Sequence, residues 1–171
     1  MIIQRNDLLT QLIKAKHNSF IKILTGIRRC GKSYLLFNIF KNHLLEDGVQ
    51  ADHIIEIDLE HPITADLINP IKLDNYIRSN LVSDGKMNYV LIDEIQYCGK
   101  ALPEGFDLSI IHPDDRERMF VDFYRVLNGL RTTPNVDIYV TGSNSRLLAS
   151  DVATEFRGRG FEVKMHPLSF L

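Results

Sequence analysis

Gly26-Ile27-Arg28-Arg29-Cys30-Gly31-Lys32-Ser33 fits the pattern GxxxxGK[ST], and each residue type in it suits the holding of a polyphosphate. Glycines let the backbone turn its N–H groups inward around phosphate oxygens, and the N-terminus of a following helix adds positive potential. Lys32 can reach the β and γ oxygens, the Ser33 hydroxyl can ligate Mg²⁺, and Tyr34 directly after it completes a candidate cofactor-binding set from Gly26 to Tyr34. A chance match in a chain of this length has a probability on the order of one per cent, given ordinary glycine usage. The bland alternative is a glycine-rich turn between a strand and a helix. Cys30 reads as a small residue in a tight place, with a redox switch as its alternative, and Arg28 and Arg29 as solvated or phosphate-facing cations.

Tyr89-Val90-Leu91-Ile92-Asp93-Glu94 is an apolar run that ends in two carboxylates. Asp93 suits the coordination shell of Mg²⁺, and Glu94 can orient and deprotonate an attacking water. By itself such a run is a strand entering a loop; downstream of a phosphate loop it supplies the other half of a hydrolytic site. A second apolar run ends in Thr141-Gly142-Ser143-Asn144-Ser145, where a polar side chain could hydrogen-bond the γ-phosphate or the water. Thr141, Ser143 and Asn144 all qualify and Asn144 is preferred; the alternative is a polar turn capping a helix. No GxSxG elbow supports a serine hydrolase. The histidines at 17, 43, 53, 61, 112 and 166 lack metal-ligand spacing, and most read as surface or helix-end residues.

These groups need elements to position them. Apolar runs at 20–24, 54–57, 89–92, 136–140 and 161–165 predict five strands, alternating with helical periodicity in a short leading helix and at 33–46, 73–82 and 146–156. A strong helix is predicted from Pro113-Asp114-Asp115 onward, with Met119, Phe120, Phe123, Val126, Leu127 and Leu130 on one face. Residues 99–115 show little periodicity and read as an inserted loop. The alternation predicts an α/β fold with a parallel sheet, in which the apolar first and third strands are central and the alternating Phe161-Glu162-Val163-Lys164-Met165 is an edge.

Composition fits one such domain. The 171 residues carry 20 Lys+Arg and 22 Asp+Glu, a formal net charge of −2, with 44 % hydrophobic residues. That excludes a disordered or collagen-like chain and argues against a protein that coats nucleic acid or an anionic membrane. Two cysteines are too few for a disulfide scaffold. Met1-Ile2-Ile3 passes at once into polar residues, so no signal-peptide core is expected, and no run approaches the ~18 apolar residues of a membrane span. The expectation is a cytoplasmic protein without membrane insertion.

One complete strand, Ile54 to Ile57, lies between the phosphate loop and Asp93. With Glu94, that spacing resembles the additional-strand catalytic-glutamate group of P-loop ATPases, whose sheet order is 5-1-4-3-2. More specifically, the chain resembles prokaryotic AAA-type ATP-binding proteins of the AAA+ superfamily. The resemblance rests on Thr25 through Ser33, Leu91-Ile92-Asp93-Glu94-Ile95-Gln96, Val136 through Asn144, and Gly158-Arg159 with His166-Pro167-Leu168-Ser169-Phe170, in that order along the whole chain. It implies a three-layer α/β/α P-loop fold with a five-stranded parallel sheet, ATP and Mg²⁺ as cofactors, and hydrolysis as the chemistry. Lys32 and the loop amides would hold phosphate, Ser33 and Asp93 Mg²⁺, Glu94 would activate water, and Asn144 would sense the γ-phosphate.

Phe156-Arg157-Gly158-Arg159-Gly160 falls where AAA-type arginine fingers arise. Arg159 is therefore expected to serve a neighbouring subunit's γ-phosphate in a homo-oligomer, the alternative being a solvated turn. Basic residues thus gather at 28–32 and 157–159, the two places where a triphosphate would be held. In the family the Pro-Leu-Ser-Phe segment leads into a helical lid and a further domain; this chain ends at Leu171, so 1–171 is expected to be the ATPase core alone, with 99–115 as an insertion. A competing reading is a nucleotide-dependent switch with little intrinsic hydrolysis. A small-molecule kinase is disfavoured by the intervening strand and Glu94. No signature of nucleic-acid base readout is visible.

Overall fold

The computed structural model of the chain describes residues 3–143, 156 and 158–166. Five strands form one parallel sheet: β1 (Ile21–Gly26), β2 (Ile54–Asp58), β3 (Asn88–Asp93), β4 (Val136–Ser143) and β5 (Gly160–Met165). They lie in the order β2-β3-β4-β1-β5, which is 5-1-4-3-2 read from the other edge. β1 and β3 are buried at every position, as strands covered on both faces must be. β2 and β5 are the edges, and each exposes a charged residue, Glu56 and Lys164.

Helices cover both faces. On one lie α1 (Ile3–Lys14) and a helical stretch at 32–46, α2, which runs through an α-helical turn Lys32–Tyr34, a π-helical segment Leu35–Phe40 and an α-helical end Lys41–Glu46. Leu12, Leu35, Leu36, Phe40 and Leu44 pack there on Leu24, Leu91 and Tyr139. The other face carries α3 (Pro70–Ser79) and α4 (Phe123–Arg131), whose Leu73, Ile77, Leu127 and Leu130 pack on Ile23, Ile92 and Val140.

Two sequence expectations are corrected. The helix predicted at 73–82 starts at Pro70, because the Asn69 side chain caps it by accepting from the N–H groups of Ile71 and Lys72 at 2.9 and 3.3 Å. The helix predicted to run on from residue 113 is broken. A short turn Arg116–Met119 stops at an extended Phe120, Val121 pairs antiparallel with Ala101, and Asp122 caps a new helix by accepting from the Arg125 N–H at 2.9 Å. The expected loop at 99–115 is thereby tied down, with 3₁₀ turns at Leu108–Ile110 and Pro113–Asp115. His53, which ends the 3₁₀ turn Ala51–His53, is 1 % exposed, with Nδ1 2.8 Å from Asp52 Oδ1 and Nε2 3.0 Å from Asp84 Oδ1. Most of the helix predicted at 146–156 lies outside the described residues.

The His53 arrangement has a pH signature. Hydrogen bonds from Asp84 and then Asp52 raise its pKa above the ordinary histidine value, because both ring nitrogens can donate only when the ring is protonated. A raised native pKa makes the stabilisation full below about pH 6.5 and progressively lost as pH rises through the native value. Unfolding free energy measured by denaturant titration is therefore expected to decline from pH 6 upward, and the decline should shrink in His53→Gln. An identical pH slope in the two proteins would remove the basis for this assignment.

A second buried network lies on the α1/α2 face at the N-terminal ends of β1 and β4. Lys22 is fully buried and ion-paired to Asp137, which is 3 % exposed. Asp137 Oδ2 also accepts from the Tyr139 hydroxyl at 2.8 Å and from the His17 N–H at 3.1 Å. β1 pairs with β4 in the register Lys22 to Tyr139, which brings Lys22 and Asp137 to diagonal positions on one face.

Candidate functional site

β1 ends at Gly26, and the chain turns through residues 27–31 into α2, so the GxxxxGKS segment lies between a central strand and a helix start. Arg29 (φ 66°) and Gly31 (φ 92°) take left-handed backbone, which bends the loop back on itself. Gly26 is dictated by space: a Cβ there would meet the Met165 carbonyl oxygen at 2.6 Å and Cys30 Sγ at 2.8 Å. That carbonyl belongs to β5, which is paired to β1 at this point, so withdrawing it would disrupt the pairing. Gly26→Ala is expected to cost about 1–3 kcal/mol and to displace the loop. A thermal melt and titration with a fluorescent ATP analogue would check this, and wild-type values in both would refute it.

Lys32 is 3 % exposed, and its ammonium sits beneath the loop, donating to Gly26 O at 3.1 Å and Ile27 O at 3.0 Å. Cys30 Sγ is 3.9 Å from the same ammonium. Ile27 and Tyr34 are exposed on either side. Arg28 points away from the loop's interior to Glu60 on the segment after β2, at 3.1 Å, and the Tyr97 hydroxyl reaches the same carboxylate at 3.4 Å.

Asp93 ends β3 with its carboxylate buried, 4 % exposed. Burial pushes its pKa up, Glu94 and Asp58 add in the same direction, and the hydroxyls of Thr141 and Ser33 oppose them. No basic side chain forms an ion pair with Asp93 among the described residues. A buried carboxylate beside a serine hydroxyl, with further carboxylates around it and no cation, is a hard-oxygen environment that fits Mg²⁺. Ser33 and Asp93 are the residues that could hold it.

Glu94 follows in left-handed backbone (φ 53°, ψ 50°) at the head of the 3₁₀ turn Ile95–Tyr97. Its N–H donates to Thr141 Oγ1 at 2.9 Å, and the same hydroxyl donates to Asp93 Oδ1. Thr141 is fully buried and so committed to the end of β3, as a strut between the two carboxylate residues. Ser143 is buried at the tip of β4. Asn144 and Arg157 lie outside the described residues.

Arg159 is brought to a different place from the phosphate loop. Its carbonyl accepts from the Ile21 N–H at 2.9 Å, at the start of β1, whereas the loop leaves from the end of that strand. Five strand residues separate the two, roughly 16 Å at the usual rise. Residue 159 is exposed at the opposite end of the sheet from its own chain's loop.

Sequence reasoning missed two residues here, Thr141 as a strut and Gln96, whose side-chain amide donates to the Glu94 carboxylate. Gln96 had a signal, its place two residues after Glu94 in the segment Asp93-Glu94-Ile95-Gln96. No helix among the described residues is long and apolar enough to cross a membrane.

Comparison with known proteins bears on the family and the fold. An uncharacterized protein of Haemophilus influenzae is 32 % identical over 169 residues, which is 99 % of this chain and 36 % of that protein. An uncharacterized protein of Methanocaldococcus jannaschii is 32 % identical over 154 residues, 88 % of this chain and 27 % of that one. The chain thus spans about a third of the length of these relatives. In fold it is similar to a DNA polymerase III gamma subunit-related protein of Thermotoga maritima (TM-score 0.55, 17 % identity, 92 % of this chain and 45 % of that one). It is also similar to Caenorhabditis elegans PCH-2 (TM-score 0.55, 15 % identity, 95 % of this chain and 41 % of that one). The sequence profile described as AAA domain matches residues 18–171. With a phosphate loop on β1, two carboxylate residues ending β3 and β4 between them, the chain belongs to the AAA domain family and is an AAA+ P-loop ATPase core.

Proposed function

We propose that this domain binds ATP with Mg²⁺ and hydrolyses it. The observation that carries the reading is the convergence of Lys32, Ser33, Asp93 and Glu94 at the C-terminal ends of β1 and β3, on either side of the tip of β4. Lys32, drawn from the loop carbonyls, would hold the β and γ oxygens together with the loop N–H groups. Mg²⁺ bound by Ser33 and Asp93 would supply charge neutralisation on the phosphates. Glu94 would accept the proton of a water whose oxygen attacks the γ-phosphorus, while the bond from that phosphorus to the bridging oxygen breaks and ADP leaves with the electron pair. Asn144 is proposed as the γ-phosphate sensor, and Arg159 as a cation donated to a neighbouring copy in a homo-oligomer.

Lys32→Ala tests the binding half. Loss of charge-assisted hydrogen bonds worth about 1.5–3 kcal/mol corresponds to a roughly 10–100-fold weaker affinity for a fluorescent ATP analogue. Unchanged affinity would overturn the placement of the phosphates. The second reading, a nucleotide-dependent switch that barely hydrolyses, is favoured by the position of Arg159 far from its own loop, since a lone subunit then lacks that cation. Phosphate release measured beside nucleotide binding across a range of protein concentrations separates the two: turnover per subunit that rises with concentration supports the hydrolase with a donated arginine, and saturable binding without turnover at any concentration supports the switch.

A further inference from the structure

The Gln96 side chain donates to Glu94 Oε2 from within the 3₁₀ turn that Glu94 heads. A carboxylate only accepts, so the amide must meet it with its NH₂ group. The other end of the amide, Oε1, is then buried with no hydrogen-bond partner among the described residues. An orphaned buried acceptor costs folding free energy, and an apolar side chain of the same length would avoid that cost. Holding the fold together therefore does not account for this amide.

Its geometry accounts for it differently. The Glu94 backbone is held by the bond from its N–H to Thr141 Oγ1 at 2.9 Å, and its carboxylate is held by Gln96. With both ends fixed, few settings of the intervening side-chain torsions survive. The contact spans two residues within one turn, so it depends on no other element and can persist through a reaction cycle. It engages Oε2 and leaves Oε1 of Glu94 able to accept a proton.

We propose that Gln96 is a positioning residue for ATP hydrolysis, clamping the Glu94 carboxylate in the rotamer from which it acts on water. The inference rests on the reading of Glu94 as the base. A base fixed before the reaction need not be ordered during it, so the clamp acts on turnover and leaves nucleotide binding alone.

The test compares purified wild type, Gln96→Met and Glu94→Gln in steady-state ATP turnover, fluorescent-analogue binding and thermal melting. Methionine keeps the length of the side chain and removes both the donor and the orphaned acceptor. The expected result for Gln96→Met is a kcat lowered about tenfold, KM and analogue affinity within about twofold of wild type, and a melting temperature equal or higher. A kcat equal to or above wild type overturns the clamp and leaves the hydrolase reading intact. A kcat and melting temperature that fall together assign Gln96 to the fold and also overturn the clamp. Wild-type turnover no faster than that of Glu94→Gln overturns both readings at once.

Discussion

Glu94→Gln is expected to lower ATP turnover by about 10²–10⁴-fold, the usual contribution of a positioned general base, while nucleotide still binds. The substitution keeps the size of the side chain and removes only the basic oxygen. It leaves the strut in place, because Thr141 accepts from the Glu94 backbone N–H and donates to Asp93, neither of which changes. Lys32 and Ser33 lie on another segment and are untouched. Binding and turnover should therefore separate: the variant should retain a fluorescent ATP analogue with wild-type affinity while phosphate release falls to background. Phosphate release at the wild-type rate would rule out Glu94 as the base.

Asp137→Ala is expected to be the most damaging change away from the site. It leaves the Lys22 ammonium in the core without its partner, and the Tyr139 hydroxyl and His17 N–H lose their acceptor as well. Burial already lowers the Lys22 pKa from the ordinary lysine value, with Asp137 opposing that shift, so the carboxylate is what makes a charge tolerable there. Breaking one side of a buried pair costs about 3–5 kcal/mol, a fall of roughly 10 °C in melting temperature for a chain of this size. Lys22→Met combined with Asp137→Leu should recover part of the loss, since no buried charge is then stranded. A single-variant melting temperature within about 1 °C of wild type would show that Lys22 relaxes to solvent at little cost.

Much of the fold was legible because its signals are local. The phosphate loop is a contiguous segment, and its flanking strand and helix follow from an apolar run and a helical stripe. The edge place of strand five could be read from its alternation and the central place of strands one and three from their apolar runs: Lys164 is exposed on β5, while β1 and β3 are buried throughout. The helix after residue 113 misled for the opposite reason. Its apolar stripe continues from Met119 to Leu130, but the Val121 backbone bonds to Ala101, twenty residues earlier, and that pairing leaves no mark on the period. The partner of Lys22, a charge in strand one that is paired 115 residues down the chain, leaves no local mark either.

The sequence by itself determined which residues are candidates for the proposed chemistry, Lys32 and Ser33 on one segment and Asp93 with Glu94 on another, because backbone conformation and motif spacing are properties of neighbours along the chain. Tertiary structure decided which of them meet and what supports them. The parallel order places β4 between the two motifs, and packing then commits Thr141 to Asp93 and Glu94 rather than to a ligand. The same parallel register sends Arg159 to the far end of β1. Partners joined across 47 residues, as Glu94 and Thr141 are, depend on strand register and burial, which no local pattern encodes.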